Sequence, residues 1–376
     1  MCVQKNNSIK RRFSVSFSKI FVQLFRYTSS KPFFRTILNH TPMWALSIGD
    51  KLATESLDDT LLNQPKTGGV ALFTQSGALK TVLLNMMAKE SIGLSRVILY
   101  DRNLNRNLDE SDILEELSRQ AETRVIMACF ESIQNGRKFM DTCKKITKIK
   151  PMVILKTGKS KVGTRAVLSH TGSMSGSDLI CSVAFHQSHV LRAQTIEELT
   201  DFAKALVLTP SGASERIAIV TNGGGCGVLA ADACVDAGLE VAELPRSIKD
   251  DLKKRIPLIS EIINPIDIKY AATAETFEYV LSCLLECEAV GIVFLLVYPS
   301  PALDVNSLVD KIRAKSSGRK KPIVVSATGS EKFLQILSAL ESFGIPVYYL
   351  PERAVNGIRA LIYYGKYNRR LDSLSK

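Results

Sequence analysis

From Gly68 onward the chain alternates short, β-branched apolar runs with stretches whose apolar residues recur every three or four positions. Gly69–Thr74, Arg96–Tyr100, Arg124–Phe130, Met152–Lys156 and a short run near Val190 predict strands buried on both faces. Helical periodicity falls between them, over Ala78–Lys89, Ser111–Gln120, Gly136–Ile146, Ser177–Gln187 and Ile196–Val207. The turn-rich stretch 209–214 interrupts this order, which then restarts. Arg216–Thr221, Glu240–Ala242, Gly291–Val297, Ile323–Ser326 and Val347–Tyr349 predict strands, and helices fill the gaps up to one over Glu352–Tyr364. This βα order predicts α/β architecture with parallel sheets. The two halves open alike, with Val70-Ala-Leu-Phe-Thr-Gln-Ser-Gly77 and Ile217-Ala-Ile-Val-Thr-Asn-Gly-Gly224 about 147 residues apart. We therefore expect two flavodoxin-like, doubly wound domains at 68–208 and 215–367, a linker at 209–214, an extension at 1–67 and a tail at 368–376.

Charge changes the picture only at the amino end. The net charge is +12, but eight cations (Lys5, Lys10, Arg11, Arg12, Lys19, Arg26, Lys31 and Arg35) precede the first acid, Asp50. The rest of the chain is close to neutral and shows no basic, aromatic-interleaved surface, so a nucleic-acid partner is not expected. No apolar run is long enough to span a bilayer. The basic, Ser-rich, acid-free leader suits an organellar transit peptide, which predicts a mitochondrial or related matrix, otherwise the cytoplasm. Nothing before about Gly68 reads as core. The eight cysteines form no C-x-x-C pair and mostly lie in apolar runs, which predicts buried reduced thiols rather than zinc ligands or disulfides.

The candidate chemistry sits at strand ends. Gln75, Ser76 and Gly77 close a strand-to-helix turn in the first half; Asn222, Gly223, Gly224 and Gly225 do so in the second. Open backbone amides and the positive helix end suit a phosphate at each. Neither turn carries the Lys-Ser/Thr of a P-loop. Of four histidines, His170 alone stands in a small polar stretch, with Ser169, Thr171 and Gly172, which reads as a loop carrying an accessible nucleophile. No second ligand stands at metal spacing. Glu131 follows a strand and can fix an imidazole tautomer. Asn264 and Asp267 flank a proline turn and are minor candidates for a site wall.

Together these blocks resemble the NDP-forming acyl-CoA synthetases, the ADP-forming acetyl-CoA synthetases and succinate-CoA ligases among them. The resemblance rests on Thr74-Gln-Ser-Gly-Ala-Leu79, on Glu131-Ser-Ile-x-x-Gly-Arg-Lys-Phe139 and on Ser169-His-Thr-Gly172. It also rests on Ile219-Val-Thr-Asn-Gly-Gly-Gly225, Asn264-Pro-Ile-Asp267 and Pro351-Glu-Arg-Ala-Val355. It implies a succinyl-CoA ligase-like fold and a phosphohistidine at His170 supported by Glu131, with both helix mouths holding its phosphate. It implies CoA, ADP or ATP and Mg²⁺ in the full complex, none of them held by this chain alone. No CoA-binding domain or ATP-grasp module is recognisable, so the implied partners are those two modules, in a hetero-oligomer acting on acyl phosphate or acyl-CoA. The alternatives are a non-catalytic binding or regulatory protein on this scaffold, a fragment of a longer ligase, and a flavin-binding redox protein.

Overall fold

A computed structural model describes residues 46–48, 65–100, 108–171, 176–209, 214–256, 262–316, 318 and 321–374. The chain divides into two compact units, Met1–Arg192 and Ala193–Lys376.

The first unit runs β1 (Leu46–Ile48), β2 (Thr67–Thr74), α1 (Gly77–Lys89), β3 (Leu94–Tyr100), α2 (Glu110–Arg119), β4 (Val125–Phe130), α3 (Gly136–Ile146), β5 (Met152–Lys156), α4 (Lys161–Thr171), α5 (Asp178–Gln187) and β6 (Leu191–Ala193). The strands lie in the order β1-β3-β2-β4-β5-β6. The β1–β3, β3–β2, β2–β4 and β4–β5 pairings are parallel. Continuous apolar strands were the signal for this sheet, and β4 and β5 are buried along their whole length. One face carries a file of aromatic rings. Phe73 meets Phe130 at 4.9 Å between centroids, Phe130 meets Phe139 at 5.8 Å, and Phe139 meets Phe185 at 6.0 Å. Gly68 and Gly93 allow β2 and β3 to approach at the sheet's lower end, since a Cβ on Gly68 would stand 2.4 Å from the Gly93 Cα.

In this unit two elements depart from the sequence expectation. Leu46–Ile48 adds an edge strand beside β3, in a stretch expected to build no core. Three residues are too few to show a period. The stretch around His170 is not a loop: Lys161–Thr171 is helix α4. Ser160 starts it, its Oγ accepting from the Gly163 amide at 3.0 Å, and Thr164 Oγ1 donates to the Gly158 carbonyl at 3.0 Å. Gly163, Thr164 and two valines are weak helix formers, and only Val167 is buried among the residues whose side chains are described, so no apolar stripe marked it.

The second unit runs α6 (Ile196–Leu208), β7 (Arg216–Thr221), α7 (Gly224–Asp236), β8 (Glu240–Val241), α8 (Arg246–Arg255), β9 (Ile266–Asp267), α9 (Ala274–Glu286), β10 (Ile292–Val297), α10 (Val305–Ser316), β11 (Ile323–Ala327), α11 (Glu331–Ser338), a 3₁₀ turn (Ala339–Phe343), β12 (Val347–Tyr348) and α12 (Pro351–Leu374). Its parallel sheet has the order β12-β11-β10-β7-β8, with β9 also beside β7. Leu281, Leu284, Leu295, Val325 and Leu337 are fully buried in its core.

Helix α6 packs within this second unit, along α12. Its Asp201 carboxylate, fully buried, accepts from Arg353 Nη2 at 2.6 Å, Arg353 Nε at 3.0 Å and Asn356 Nδ2 at 3.1 Å. Lys204 donates to the Val347 carbonyl and to Glu341, both at 2.6 Å. No helix among the described residues is long and apolar enough to cross a membrane.

Candidate functional site

In each unit the chain leaves the first strand of the βα series for a neighbour on one side and later returns to the other side. These switch points fall between β2 and β4 and between β7 and β10. Ligand crevices of doubly wound sheets open there, beyond the strands' carboxyl ends. Both candidate turns stand at these places.

The two turns are built by one device. In the first unit Thr74 Oγ1 accepts from the Ser76 amide at 3.1 Å and donates to the Ser76 carbonyl at 3.3 Å. In the second, Thr221 Oγ1 accepts from the Gly223 amide at 2.9 Å and donates to the Gly223 carbonyl at 3.0 Å. The next residue then reaches across the switch point. Gln75 Oε1 accepts from the amides of Glu131 at 2.7 Å and Ser132 at 3.1 Å, and its Nε2 donates to the Ser132 carbonyl at 3.0 Å. Asn222 Oδ1 accepts from the Tyr298 amide at 2.9 Å, and its Nδ2 donates to the Tyr298 carbonyl at 2.8 Å. A strand-end hydroxyl shapes each turn, and an amide ties it to the adjoining strand.

Gln75 also donates to Glu110 Oε1 at 2.9 Å, so both its protons and both its lone pairs are taken. It is a brace rather than a phosphate donor. Ser76 caps α1, its Oγ accepting from the Leu79 amide at 3.3 Å. Among the described residues nothing accepts from the Gly77 and Ala78 amides, and a Cβ on Gly77 would meet only Leu99, at 4.0 Å. That helix mouth is open to an anion. In the second unit two glycines have reasons internal to the fold. A Cβ on Gly223 would stand 3.0 Å from the Tyr298 ring, and one on Gly224 would stand 2.8 Å from Asp267 Oδ2. Gly225 faces open space. Asp267 thus lies against the start of α7, paired with Lys269 Nζ at 2.9 Å. Asn264 turns its side chain into the fold. Its side chain binds the Ile217 and Ala242 carbonyls and the Ile219 amide, stitching β7 to the end of β8.

His170 and Ser169 are exposed in the last turn of α4; Gly172 lies outside the described residues. The carbonyl end of that helix opposes an anion, so a phosphate on His170 would need its stabilisation from other elements. Glu131 is buried, one residue past β4, and no hydrogen bond joins its carboxylate to His170.

Sequence reasoning gave no role to the groups around Glu131. Lys156, buried at the end of β5, donates to the Glu131 carbonyl at 2.7 Å and the Thr157 carbonyl at 2.5 Å. Burial pushes its ammonium below the ordinary lysine value, against the pull of Cys181, Asp178 and Glu131. Tyr298 occupies in the second unit the strand-end position that Glu131 has in the first. Burial, then the neighbouring Cys226, pushes its phenol well up. The paired Thr-Gln and Thr-Asn of the two openings were the only sequence signal for these braces.

The thiols give a check on this packing. Burial, then the nearby Glu131 charge, pushes Cys129 up to about 12, and burial alone pushes Cys234 up to about 12. Both thiols then stay protonated at pH 8 and are poor nucleophiles there. Iodoacetamide at that pH is expected to modify the half-buried Cys226 in the native chain, and Cys129, Cys143 and Cys234 only after urea. Peptide mass mapping reads the difference, and native labelling of Cys129 would refute the packing around Glu131.

Comparison with known proteins agrees with this construction. Residues 67–206 match the succinyl-CoA ligase like flavodoxin domain, and residues 217–371 match the ligase-CoA domain. The chain is 35% identical over 305 residues to the acetate–CoA ligase [ADP-forming] I subunit alpha of Pyrococcus furiosus, covering 81% of this chain and 65% of the relative. It is 35% identical over 320 residues to the acetate–CoA ligase [ADP-forming] II subunit alpha of that organism, covering 83% and 68%. With the acetate–CoA ligase [ADP-forming] I of Archaeoglobus fulgidus it shares 37% identity over 302 residues, covering 80% of this chain but 43% of the relative. The chain therefore spans from under half to about two thirds of these proteins. Among solved structures, the dinucleotide forming acetyl-coenzyme A synthetase 1 of Ca. Korarchaeum cryptofilum, in complex with phosphate and ADP, superimposes with a TM-score of 0.75 at 31% identity, over 83% of this chain and 68% of that one. Two doubly wound units with these turns and this degree of identity place the chain in the NDP-forming acyl-CoA synthetase family.

Proposed function

We propose that this chain is the phosphoryl-carrying component of an ADP-forming acyl-CoA ligase. The reaction is acyl-CoA + ADP + phosphate ⇌ carboxylate + CoA + ATP. Phosphate displaces CoA to give an acyl phosphate. The unprotonated imidazole nitrogen of His170 attacks its phosphorus, the bond to the acyl oxygen breaks, and the carboxylate leaves. ADP then takes the phosphoryl group and frees the histidine. CoA and nucleotide are substrates here, and Mg²⁺ would arrive with the nucleotide.

The observation that carries this reading is the first unit's switch point. It holds an open helix mouth at Gly77–Ala78 and a buried carboxylate at Glu131, with an exposed histidine on α4 of the same unit. Phosphoryl transfer asks for a nucleophile, fixed positive potential and little else. A phosphohistidine carries about −2 charge, which unpaired amides at helix starts stabilise. The relatives are named as ligases, which favours this over a binding protein on the same scaffold. Two of them are named as alpha subunits, which supports a partner chain; we assign ATP-grasp and CoA-binding modules to partners. The basic leader supports delivery to an organelle matrix.

The test is to incubate the full chain with acetyl [³²P]phosphate and, separately, with [γ-³²P]ATP, Mg²⁺ and an ATP-grasp partner subunit. Acid-labile label on His170 is expected. Its absence in both arms, or stoichiometric label elsewhere, would overturn the proposal.

A further inference from the structure

Glu110 has no part in the mechanism above, yet it is almost wholly buried (1% exposed) at the first position of α2. A carboxylate withdrawn from water needs partners that repay its lost hydration. Its Oε1 accepts from Gln75 Nε2 at 2.9 Å, and its Oε2 accepts from the Gln134 amide at 3.4 Å. The Gln75 amide could in principle sit either way round. Turned over, its oxygen would face the Glu110 carboxylate and its NH₂ would face the Glu131 and Ser132 amides. Every one of those contacts would be repulsive. The Glu110 carboxylate therefore acts with the Glu131–Ser132 backbone to fix the orientation of Gln75. The second unit supplies the contrast. Asn222 braces Tyr298 with two hydrogen bonds, both to that one residue, and neither involves a carboxylate. The acidic backing belongs to the brace that holds Glu131.

We propose that Glu110 and Gln75 are positioning residues for phosphoryl transfer at His170: Glu110 orients Gln75, and Gln75 sets the strand end that presents the Glu131 carboxylate. This deepens the functional reading above and rests on it. The relay has a polarity, donor at 75 and acceptor at 110, and polarity can be inverted. In Q75E two carboxylates confront each other. In Q75E/E110Q the amide at 110 donates to a carboxylate at 75, whose other oxygen still accepts from the Glu131 and Ser132 amides; only the bond to the Ser132 carbonyl is lost, so recovery is partial.

The experiment measures the rate of ³²P uptake at His170 in the full chain, together with the thermal midpoint and backbone hydrogen exchange at residues 131–132. Q75E is expected to lower uptake about a hundredfold and to speed that exchange. E110Q should lower uptake about tenfold with a smaller thermal effect. The double variant should recover about tenfold over Q75E, and E110D, which keeps the charge but shortens the reach, should fall between wild type and E110Q. Uptake that merely follows the thermal midpoint across the set, or a double variant no faster than Q75E, overturns the proposal while the functional reading stands. A wild-type chain that takes no label at His170 overturns both.

Discussion

H170A is expected to take up no phosphate from acetyl phosphate, a loss of at least about 10³-fold in the transfer rate, with stability within about 0.5 kcal/mol of wild type. The two effects separate because of where the residue sits. His170 is exposed in the last turn of α4, and alanine is a good helix former, so the substitution removes the nucleophile without opening a cavity. E131Q should act differently. It keeps the shape and the backbone bonds to Gln75 and Lys156, and removes only the charge. Loss of one fixed electrostatic group lowers such rates by about 10²–10³-fold, so E131Q should still label slowly. Quench-flow uptake and urea unfolding of the same preparations separate the two effects. An H170A chain that labels at the wild-type rate would remove His170 from the mechanism. An E131Q chain at full speed would reduce Glu131 to a packing residue.

D201A carries the largest expected effect on stability. The carboxylate is wholly buried and takes three side-chain hydrogen bonds from Arg353 and Asn356. Removing it leaves the Arg353 guanidinium, itself only 12% exposed, without its main partner. Breaking a buried pair on one side costs about 3–5 kcal/mol. Equilibrium urea unfolding should show that loss in the second unit's transition. D201L/R353M should recover much of it, because two apolar side chains leave no stranded charge. A D201A midpoint indistinguishable from wild type would mean that α6 and α12 do not hold each other through this pair.

The architecture was readable because parallel strands covered on both faces must be apolar throughout. That signal survives without any periodicity, and it located every long strand among the described residues of both halves. It failed at Leu46–Ile48 and Ile266–Asp267, which are too short to carry it. It failed again at α4, where weak helix formers and one buried valine gave no stripe, so the histidine expected on a loop stands on a helix. The strand-end turns were readable from Thr-Gln-Ser-Gly and Thr-Asn-Gly-Gly, but the roles within them were not. Whether an amide faces a ligand or a neighbouring strand depends on which strands are adjacent, and chain order does not state adjacency. Glu110, Lys156 and Tyr298 reach their sites from other elements, so no spacing along the chain announces them.

The packing of α6 bears on how this molecule can be taken apart. A cut at 209–214, where the turn-rich stretch and the ends of the two matched domains invite one, would strand that helix on the wrong piece. The downstream half would lose the acid that neutralises Arg353 and the lysine that ties down Val347, and would expose the apolar side of α12. A fragment meant to stand alone should begin no later than Gln194, which keeps the Thr195 cap and the whole of α6. Dissections made at the later site are expected to yield an insoluble downstream piece, and coexpressing the upstream one should rescue it.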